Sequence, residues 1–468
     1  MKIRLIEPAP AHLHMWSYTF LPRLGLPLIG AGLVAAGHDV VIYCPQFSPI
    51  DWHDLLSADL VGISTTTSTA PAGYEIAARV REHGLPTIVG GSHVTFMADE
   101  ALAHADYVAR GEGGDALMLE LIDALEGRRE LDSIAGLSFL RDGEAVHNPD
   151  REACKDLDTL PVPDLTLIAG SSEQKGTTPI MTSWGCPFGC NFCSVPAMFG
   201  RKYRYRSPEH IMAEIEAKQP RSIFFYDDNF AADKRRLKTL LRMMIAAGRK
   251  IPWSAQVRTD VVSDPELLGL MRDSGCDRVA LGLESVSQET LDGFDKSQSV
   301  DDIVRALATL RRYGIKTHGM FVLGADSDTE DTIRETARFA RKHDISTLML
   351  NILTPLPGTP LFDELDANGR IFDRRWDLFD GQHVVFSPCK MTPQKLQAEV
   401  WGAYARFYSL RQWLKYLATF RYGTMALYSW YWVFLRRWRR ERGNREYLEM
   451  LRQLRPTGSV TATADDQG

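Results

Sequence analysis

The sequence predicts an α/β protein: an N-terminal doubly wound, Rossmann-like domain, then a partial (β/α)6 barrel and a helical C-terminal extension. Three observations predict it. Short apolar runs alternate with helix-length stretches from residue 1 to about 140, and the alternation resumes from 179 to about 360 after an interval rich in turn formers. Past residue 400 the strand-like runs stop, and Trp, Tyr, Phe, Leu and Arg crowd together.

A chain of 468 residues exceeds one ordinary core, so a division into domains is expected. With 44% hydrophobic and 24% charged residues, neither a disordered chain nor a bundle of membrane spans fits. The formal net charge of -6 supplies no basic field for gripping nucleic acid. The first ten residues enter a strand-like run at once and lack a secretory signal pattern, so a cytoplasmic protein is expected.

In the first unit, residues 1–140, the runs 3–6, 40–43, 60–63, 87–89 and 107–109 read as strands, with helices expected over 26–36, 74–83, 97–104 and 115–125. A doubly wound sheet places its ligands beyond the carboxyl ends of the strands. Those ends carry Ser64-Thr65-Thr66-Thr67-Ser68-Thr69, Gly90-Gly91-Ser92-His93 and Gly111-Glu112-Gly113-Gly114. Any one of these turns could simply close a strand onto a helix, since Gly relieves tight geometry and Ser or Thr caps helices. Three along one edge point to a bulky ligand that needs close backbone approach. Gly143, Asn148-Pro149 and Pro161-Val162-Pro163-Asp164 then mark 141–178 as a linker.

The second unit, 179–360, offers the strands 180–183, 222–226, 253–257, 278–282, 317–323 and 347–352, a partial parallel barrel whose active face is again the carboxyl end. The loop after the first strand reads Ser183-Trp184-Gly185-Cys186-Pro187-Phe188-Gly189-Cys190-Asn191-Phe192-Cys193. Of seven cysteines three fall within eight residues, while Cys44, Cys154, Cys276 and Cys389 are scattered, which argues for metal ligation in a reducing compartment against a disulfide framework. Three thiolates on one loop suit three irons of a cubane and leave the fourth iron open. A zinc site or an electron-carrier cluster would want a fourth ligand at comparable spacing, and none is near.

With Phe192 ahead of the last cysteine, Cys186-x-x-x-Cys190-x-x-Cys193 resembles the signature of the radical S-adenosylmethionine (SAM) superfamily. The resemblance implies a 4Fe-4S cluster on these three residues that reductively cleaves SAM. The barrel is similar in order. Tyr226-Asp227-Asp228-Asn229-Phe230 stands where the family meets the SAM amino group, in the variant seen in cobalamin-associated members; for Asp227 a helix cap is the alternative. Arg258, and Glu284 with Ser285, resemble the positions that meet the SAM carboxylate and ribose, with a surface salt bridge as the alternative for either. Gly319, opening 319–324, resembles the strand beside adenine, and Pro355, opening 355–360, the turn that ends the last strand.

Residues 1–140 are similar to the cobalamin-binding domain that one radical SAM subgroup carries upstream. Ser64-Thr65 and Gly90-Gly91 resemble the turns that pass the nucleotide tail, and Gly111-Glu112-Gly113 the subgroup's turn after the last strand. The Asp-x-His-x-x-Gly motif that supplies an axial histidine in many cobalamin proteins is missing. His12 and His14 follow the first strand without that spacing and are expected at the surface, so cobalamin is expected to lack a protein axial histidine. The same absence fits a degenerate domain that binds nothing.

Trp376-Asp377-Leu378-Phe379-Asp380-Gly381, Phe386-Ser387-Pro388 and Met391-Thr392-Pro393 resemble the extension of the lipid- and tetrapyrrole-modifying branch, which implies a cover over the barrel mouth. The extension, 361–455, is expected to be mostly helical and 456–468 a disordered tail. Within it, 425–435 is too short to span a bilayer. Followed by Arg436, Arg437, Arg439, Arg440 and Arg442, it suits an amphipathic helix in a membrane interface and equally a helix packed on the barrel with a solvated basic face.

The resemblance thus implies a class B radical SAM methyltransferase that uses a 4Fe-4S cluster, SAM and cobalamin to methylate an unactivated carbon of a hydrophobic natural product, lipid or tetrapyrrole. A flavodoxin- or ferredoxin-type protein would supply electrons. Non-methylating cyclisation or rearrangement, as in the anaerobic tetrapyrrole cyclases, is the alternative in the same fold; an iron-sulfur carrier or regulatory binder is the alternative of another class.

Overall fold

Apolar runs bounded by turn formers bury both faces of a strand, and such strands form parallel sheets under helices. A computed structural model describes residues 1–14, 21–171, 176–418 and 422–454, the side chains of 422–424 excepted. The tail 456–468 lies outside the described residues.

The first sheet contains β1 (Lys2–Ile6), β2 (Asp39–Tyr43), β3 (Leu60–Ser64), β4 (Thr87–Gly90) and β5 (Tyr107–Ala109), parallel and in the order β2-β1-β3-β4-β5. The order reverses between β1 and β3, the crevice where such sheets hold ligands. Alternate residues feed opposite cores: Ile3, Leu5 and Leu60 pack with Leu117 and Leu121, while Ile6, Val61 and Ile63 pack with Ala77 and Val80. Helices Gly25–Ala35, Ala70–Arg81 and Gly114–Leu125 make the crossovers.

The sheet continues past its expected end. β6 (Leu137–Arg141) and β7 (Glu144–His147) form an antiparallel hairpin on β5. Part of the interval read as linker is therefore sheet, because Asp142 and Gly143 take φ of 53° and 85°, the turn whose twist matches paired strands.

The second sheet holds six parallel strands in chain order: β8 (Thr178–Ile180), β11 (Ile223–Phe225), β12 (Trp253–Val257), β13 (Cys276–Glu284), β14 (Lys316–Leu323) and β15 (Thr347–Ile352). Between the first two, β9 (Ser183–Trp184) pairs antiparallel with β10 (Arg204–Tyr205) and brackets the cysteine loop. β8 stops three residues short of expectation because Thr182 and Ser183 turn to bind Asp227.

β15 is the free edge of this sheet, and the extension covers it. Helix Pro393–Phe407 brings Tyr404 and Tyr408, whose hydroxyls accept from the backbone N–H groups of Leu350 and Leu348 and donate to the same residues' carbonyls. Two phenols thus do what a further strand would, and a covered edge does not aggregate. Helix Tyr422–Arg440 packs its inner face on this layer: Tyr428, Tyr431, Phe434 and Trp438 are buried against Phe407, Tyr408 and Trp401. Within 425–435 the inner face is thus packed on the barrel side, while Val433 on the outer face stays 49% exposed. Among the described residues no helix is long and apolar enough to cross a membrane.

Candidate active site

The cysteine loop leaves β9 at Gly185, whose φ of +82° and close approach to the carbonyls of Lys202 and Gly200 leave no room for a side chain. Its anchor is Asp227. That carboxylate is buried and accepts from the Thr182 amide at 3.0 Å, the Thr182 hydroxyl at 3.1 Å and the Ser183 hydroxyl at 2.5 Å. Burial pushes the Asp227 carboxyl up, opposed by the Arg236 guanidinium and these donors. Asp227, expected to meet SAM, is thus committed to holding the loop's root.

Asp228 is different. It is exposed and makes no hydrogen bond among the described residues, and desolvation and then the Asp227 charge push its carboxyl up to about 6. Its charge reaches Cys186 and Cys193, whose thiols are raised chiefly by burial, Cys193 to about 12. Arg258 eases ionisation of Cys186, and its guanidinium lies 3.6 Å from the centroid of the Phe188 ring inside the loop.

Arg258 also donates to the carbonyl of Lys296, a residue without any motif around it. Lys296 is buried, and its ammonium pairs with Glu284 at 2.6 Å, where both side chains are under 10% exposed. Glu284 sits at φ +58° on a bulge of β13 against β14, a strained position of the kind that re-aims a side chain. Gln298 completes the network, accepting from Thr259 at 2.8 Å and donating to the carbonyls of Gly282 and Leu283. A Cβ on Gly282 would lie 2.6 Å from the Glu284 carboxylate, so the ion pair needs glycine there. Ser285 is buried beside this pair and its hydroxyl accepts from the Ser287 amide. Gly319 lies on β14: Leu283 of β13 and Ile345, just ahead of β15, fill the space beside it, so close packing accounts for the glycine. Pro355 is buried just past β15.

On the first sheet, the expected rim residues divide by occupation. The Thr65 amide and hydroxyl donate to the Gly90 carbonyl, and a Cβ on Gly91, at φ +108°, would lie 2.1 Å from the Thr65 carbonyl oxygen. These glycines let two strand ends touch. Ser64 closes β3 and is half-buried. Gly111 has φ +76° and nothing within 4 Å of its missing side chain, an open backbone cradle; Gly113, at φ +84°, packs against Arg151. Glu112 faces the other way, buried in an ion pair with Arg204 and accepting from the Cys154 amide at 2.8 Å.

His12 and His14 are not surface residues, because the extension takes both. His12 meets Asp377 at 2.7 Å, a hydrogen bond that raises its pKa, and His14 bonds the Asp380 carbonyl at 3.0 Å, with burial lowering its pKa.

The carboxyl ends of the two sheets face each other. Glu7, just past β1, pairs with Arg23, and both charges act on the Tyr226 hydroxyl just past β11, which burial raises. Phe96, after β4, lies against Gly358, after β15, with its ring 2.4 Å from where a Cβ would stand. Glu112, after β5, holds Arg204 at the base of the cysteine loop.

Comparison with known proteins agrees with this geometry. Residues 180–340 match the Radical SAM superfamily and residues 17–119 the B12 binding domain. An uncharacterised methyltransferase of Pyrococcus horikoshii is 30% identical over 427 residues, 87% of this chain and 92% of that protein. The chain belongs to the radical SAM superfamily. Among its radical SAM relatives, the bacteriochlorophyllide d C-12(1)-methyltransferase of Chlorobaculum tepidum is 30% identical over 353 residues, 73% of each protein. The fold is also that of the radical SAM methyltransferase TsrM from Kitasatospora setae, solved with cobalamin and a [4Fe-4S] cluster, at TM-score 0.66 and 19% identity over 78% of this chain and 75% of that one.

As a radical SAM enzyme the chain uses an iron-sulfur cluster and SAM, and its B12 binding domain adds cobalamin. The residues fit these groups. Cys186, Cys190 and Cys193 are free thiols on one loop, close enough for their charges to interact. For cobalamin, Gly111 leaves open space at the rim of the first sheet. Lys296, Gln298 and Arg204 carried no sequence signal, since burial of a lone cation shows only when distant segments meet.

Proposed function

We propose that this enzyme methylates an unactivated carbon of a hydrophobic substrate, a tetrapyrrole or a polycyclic lipid or related natural product, in the cleft between its two sheets. The observation that carries the reading is the opposition of the sheets' carboxyl ends, fastened by Phe96 on Gly358 and Glu112 on Arg204. A group handed from one cofactor site to a substrate activated at another needs both to open on one space. The kinship with the bacteriochlorophyllide d methyltransferase supports a tetrapyrrole.

When bound, the cluster, SAM and cobalamin supply the electron, the hydrogen-abstracting radical and the methyl carrier. In this reading Cys186, Cys190 and Cys193 ligate the cluster. Asp228, with Tyr226, accepts from the SAM amino group, and Arg258 forks onto its carboxylate. Lys296 holds Glu284 in place by their ion pair, and Glu284 and Ser285 take the ribose hydroxyls; β14, the strand that carries Gly319, and Pro355 line the adenine side. Ser64, Thr65, Gly90, Gly91, Gly111 and Gly113 form the backbone rim for cobalamin, while Glu112 fixes that rim to the barrel. His12 and His14 are held by the extension, so in this reading neither is offered to cobalamin. A flavodoxin or ferredoxin in the cytoplasm completes the reading as electron donor.

The test is protein purified without oxygen from cobalamin-supplied cells, incubated with methyl-labelled SAM, dithionite and bacteriochlorophyllide d. Stoichiometric cobalamin and label in the recovered tetrapyrrole are expected. Deoxyadenosine with an altered but unlabelled product would replace methyl transfer with cyclisation or rearrangement, and a full cluster without cobalamin would sink the relay.

A further inference from the structure

We propose that helix Leu410–Ala418, together with the outer face of Tyr422–Arg440 beside it, docks on a lipid bilayer with anionic headgroups. This goes beyond the methylation reading and does not depend on it. Leu410, Leu414 and Leu417 are 60%, 51% and 40% exposed, and their spacing places them on one face of the helix. Val433 on the neighbouring helix is 49% exposed. Elsewhere among the described residues the exposed large apolar residues are scattered singly; here four stand on two helices packed together.

Charge selects the occupant. Residues 401–440 contain eight basic side chains, Arg406, Arg411, Lys415, Arg421, Arg436, Arg437, Arg439 and Arg440, and no Asp or Glu, within a chain of net charge -6. The remaining residues therefore sum to -14 (-6 minus +8). Arg411, Arg436, Arg439 and Arg440 are exposed, as is Lys415, which stands 4.0 Å from Asp344. Trp413, Trp430 and Trp432 are half-buried, with the indole N–H groups of Trp413 and Trp432 donating to Ser429 and to the Tyr408 carbonyl. Leucines in a row, half-buried tryptophans and flanking cations without acids are the composition of a helix that lies in a bilayer interface. A second copy would set these cations against their own kind across a two-fold axis. An acidic protein would satisfy the charge and leave the leucine row unexplained. The inner face is already committed, Tyr416 stacking edge-on to Tyr428 at 5.1 Å, so the outer face is presented without refolding.

The full-length, cofactor-loaded protein is floated with vesicles of phosphatidylcholine alone and of an equal mixture with phosphatidylglycerol. Binding to the mixed vesicles is expected to be at least about tenfold stronger and to fall as salt is raised. Leu410→Ser/Leu414→Ser/Leu417→Ser is expected to lose about tenfold in binding with an unchanged unfolding midpoint, and Arg436→Gln/Arg440→Gln to lose the preference for the mixed vesicles. Equal binding to both vesicle types, or undiminished binding by the leucine variant, would overturn the proposal. So would a dimer, or a complex with flavodoxin, that the leucine variant abolishes while wild-type protein ignores vesicles.

Discussion

Glu112 and Arg204 form a buried ion pair across the junction of the two sheets, with side chains 6% and 4% exposed. Arg204 also donates to the carbonyls of Cys154 and Phe199, so one guanidinium ties together the first domain, the connecting segment and the cysteine loop. Arg204→Met is expected to cost about 3–5 kcal/mol in urea unfolding, because it strands a buried carboxylate, and Glu112→Gln added to it should restore part of that. An unchanged midpoint in the single variant would mean that the pair is solvated.

Loss of any one loop cysteine should abolish cluster loading. For Cys186→Ala, Cys190→Ala and Cys193→Ala, iron and the visible charge-transfer absorbance are expected to fall to background. Cys389→Ala, at an exposed thiol far along the chain, should load as wild type. A normal iron content in any of the first three would remove that residue from the ligand set.

Two glycines on the first sheet's rim should separate packing from ligand binding. Gly91→Ala meets the Thr65 backbone at a left-handed φ and is expected to destabilise the domain by about 3 kcal/mol or more. Gly111→Ala meets nothing and should cost only about 1–2 kcal/mol, yet it puts a methyl group in the open cradle. Its expected signature is weakened cobalamin retention in a folded protein; full retention would take Gly111 out of the cobalamin rim.

Lys296→Met removes the cation that holds Glu284 in place and leaves that buried carboxylate without its partner. SAM affinity by equilibrium dialysis is expected to fall at least about tenfold, or about 1.4 kcal/mol, with Lys296→Arg recovering part of it. A SAM affinity equal to wild type in Lys296→Met would separate Glu284 from the ribose.

His318 gives a pH prediction. Burial, and then the Arg278 charge, lower its pKa to about 4. The unfolded chain therefore binds this proton first, so the stability carried by the neutral ring is complete above about pH 6.5 and is lost as the pH falls towards 4. Wild-type unfolding midpoints should drop across that window, and His318→Gln should flatten the drop; parallel curves for the two proteins would count against a neutral buried ring.

What the sequence disclosed was local. β12 and β15 coincide with the apolar runs that announced them, because period and turn formers act within a few residues. The Asp142-Gly143 dipeptide carried the hairpin signal for β6 and β7 and was submerged in a stretch rich in other turn formers. Motif position brought Arg258 and Glu284 to neighbouring strand ends, where Lys296 links them. Motif position also grouped Asp227 with Asp228, although one is spent on Thr182 and Ser183 and the other is open, a distinction made by a turn of the chain between adjacent residues. The roles of His12, His14 and Glu112 were illegible because their partners, Asp377, Asp380 and Arg204, lie on segments remote in sequence.

The clasp between the β1 loop and the extension bears on how the protein is made. The Leu13 amide donates to Glu441, Gln382 donates to the Leu13 carbonyl, and His12 holds Asp377. Synthesis delivers residues 12–14 hundreds of residues before their partners. The first sheet can assemble while the ribosome is still at work, since domains fold as units in order of emergence. Its ligand-facing loop cannot settle until Asp377, Gln382 and Glu441 have emerged, so a nascent polypeptide that stops short of them presents an assembled sheet with an unfastened rim.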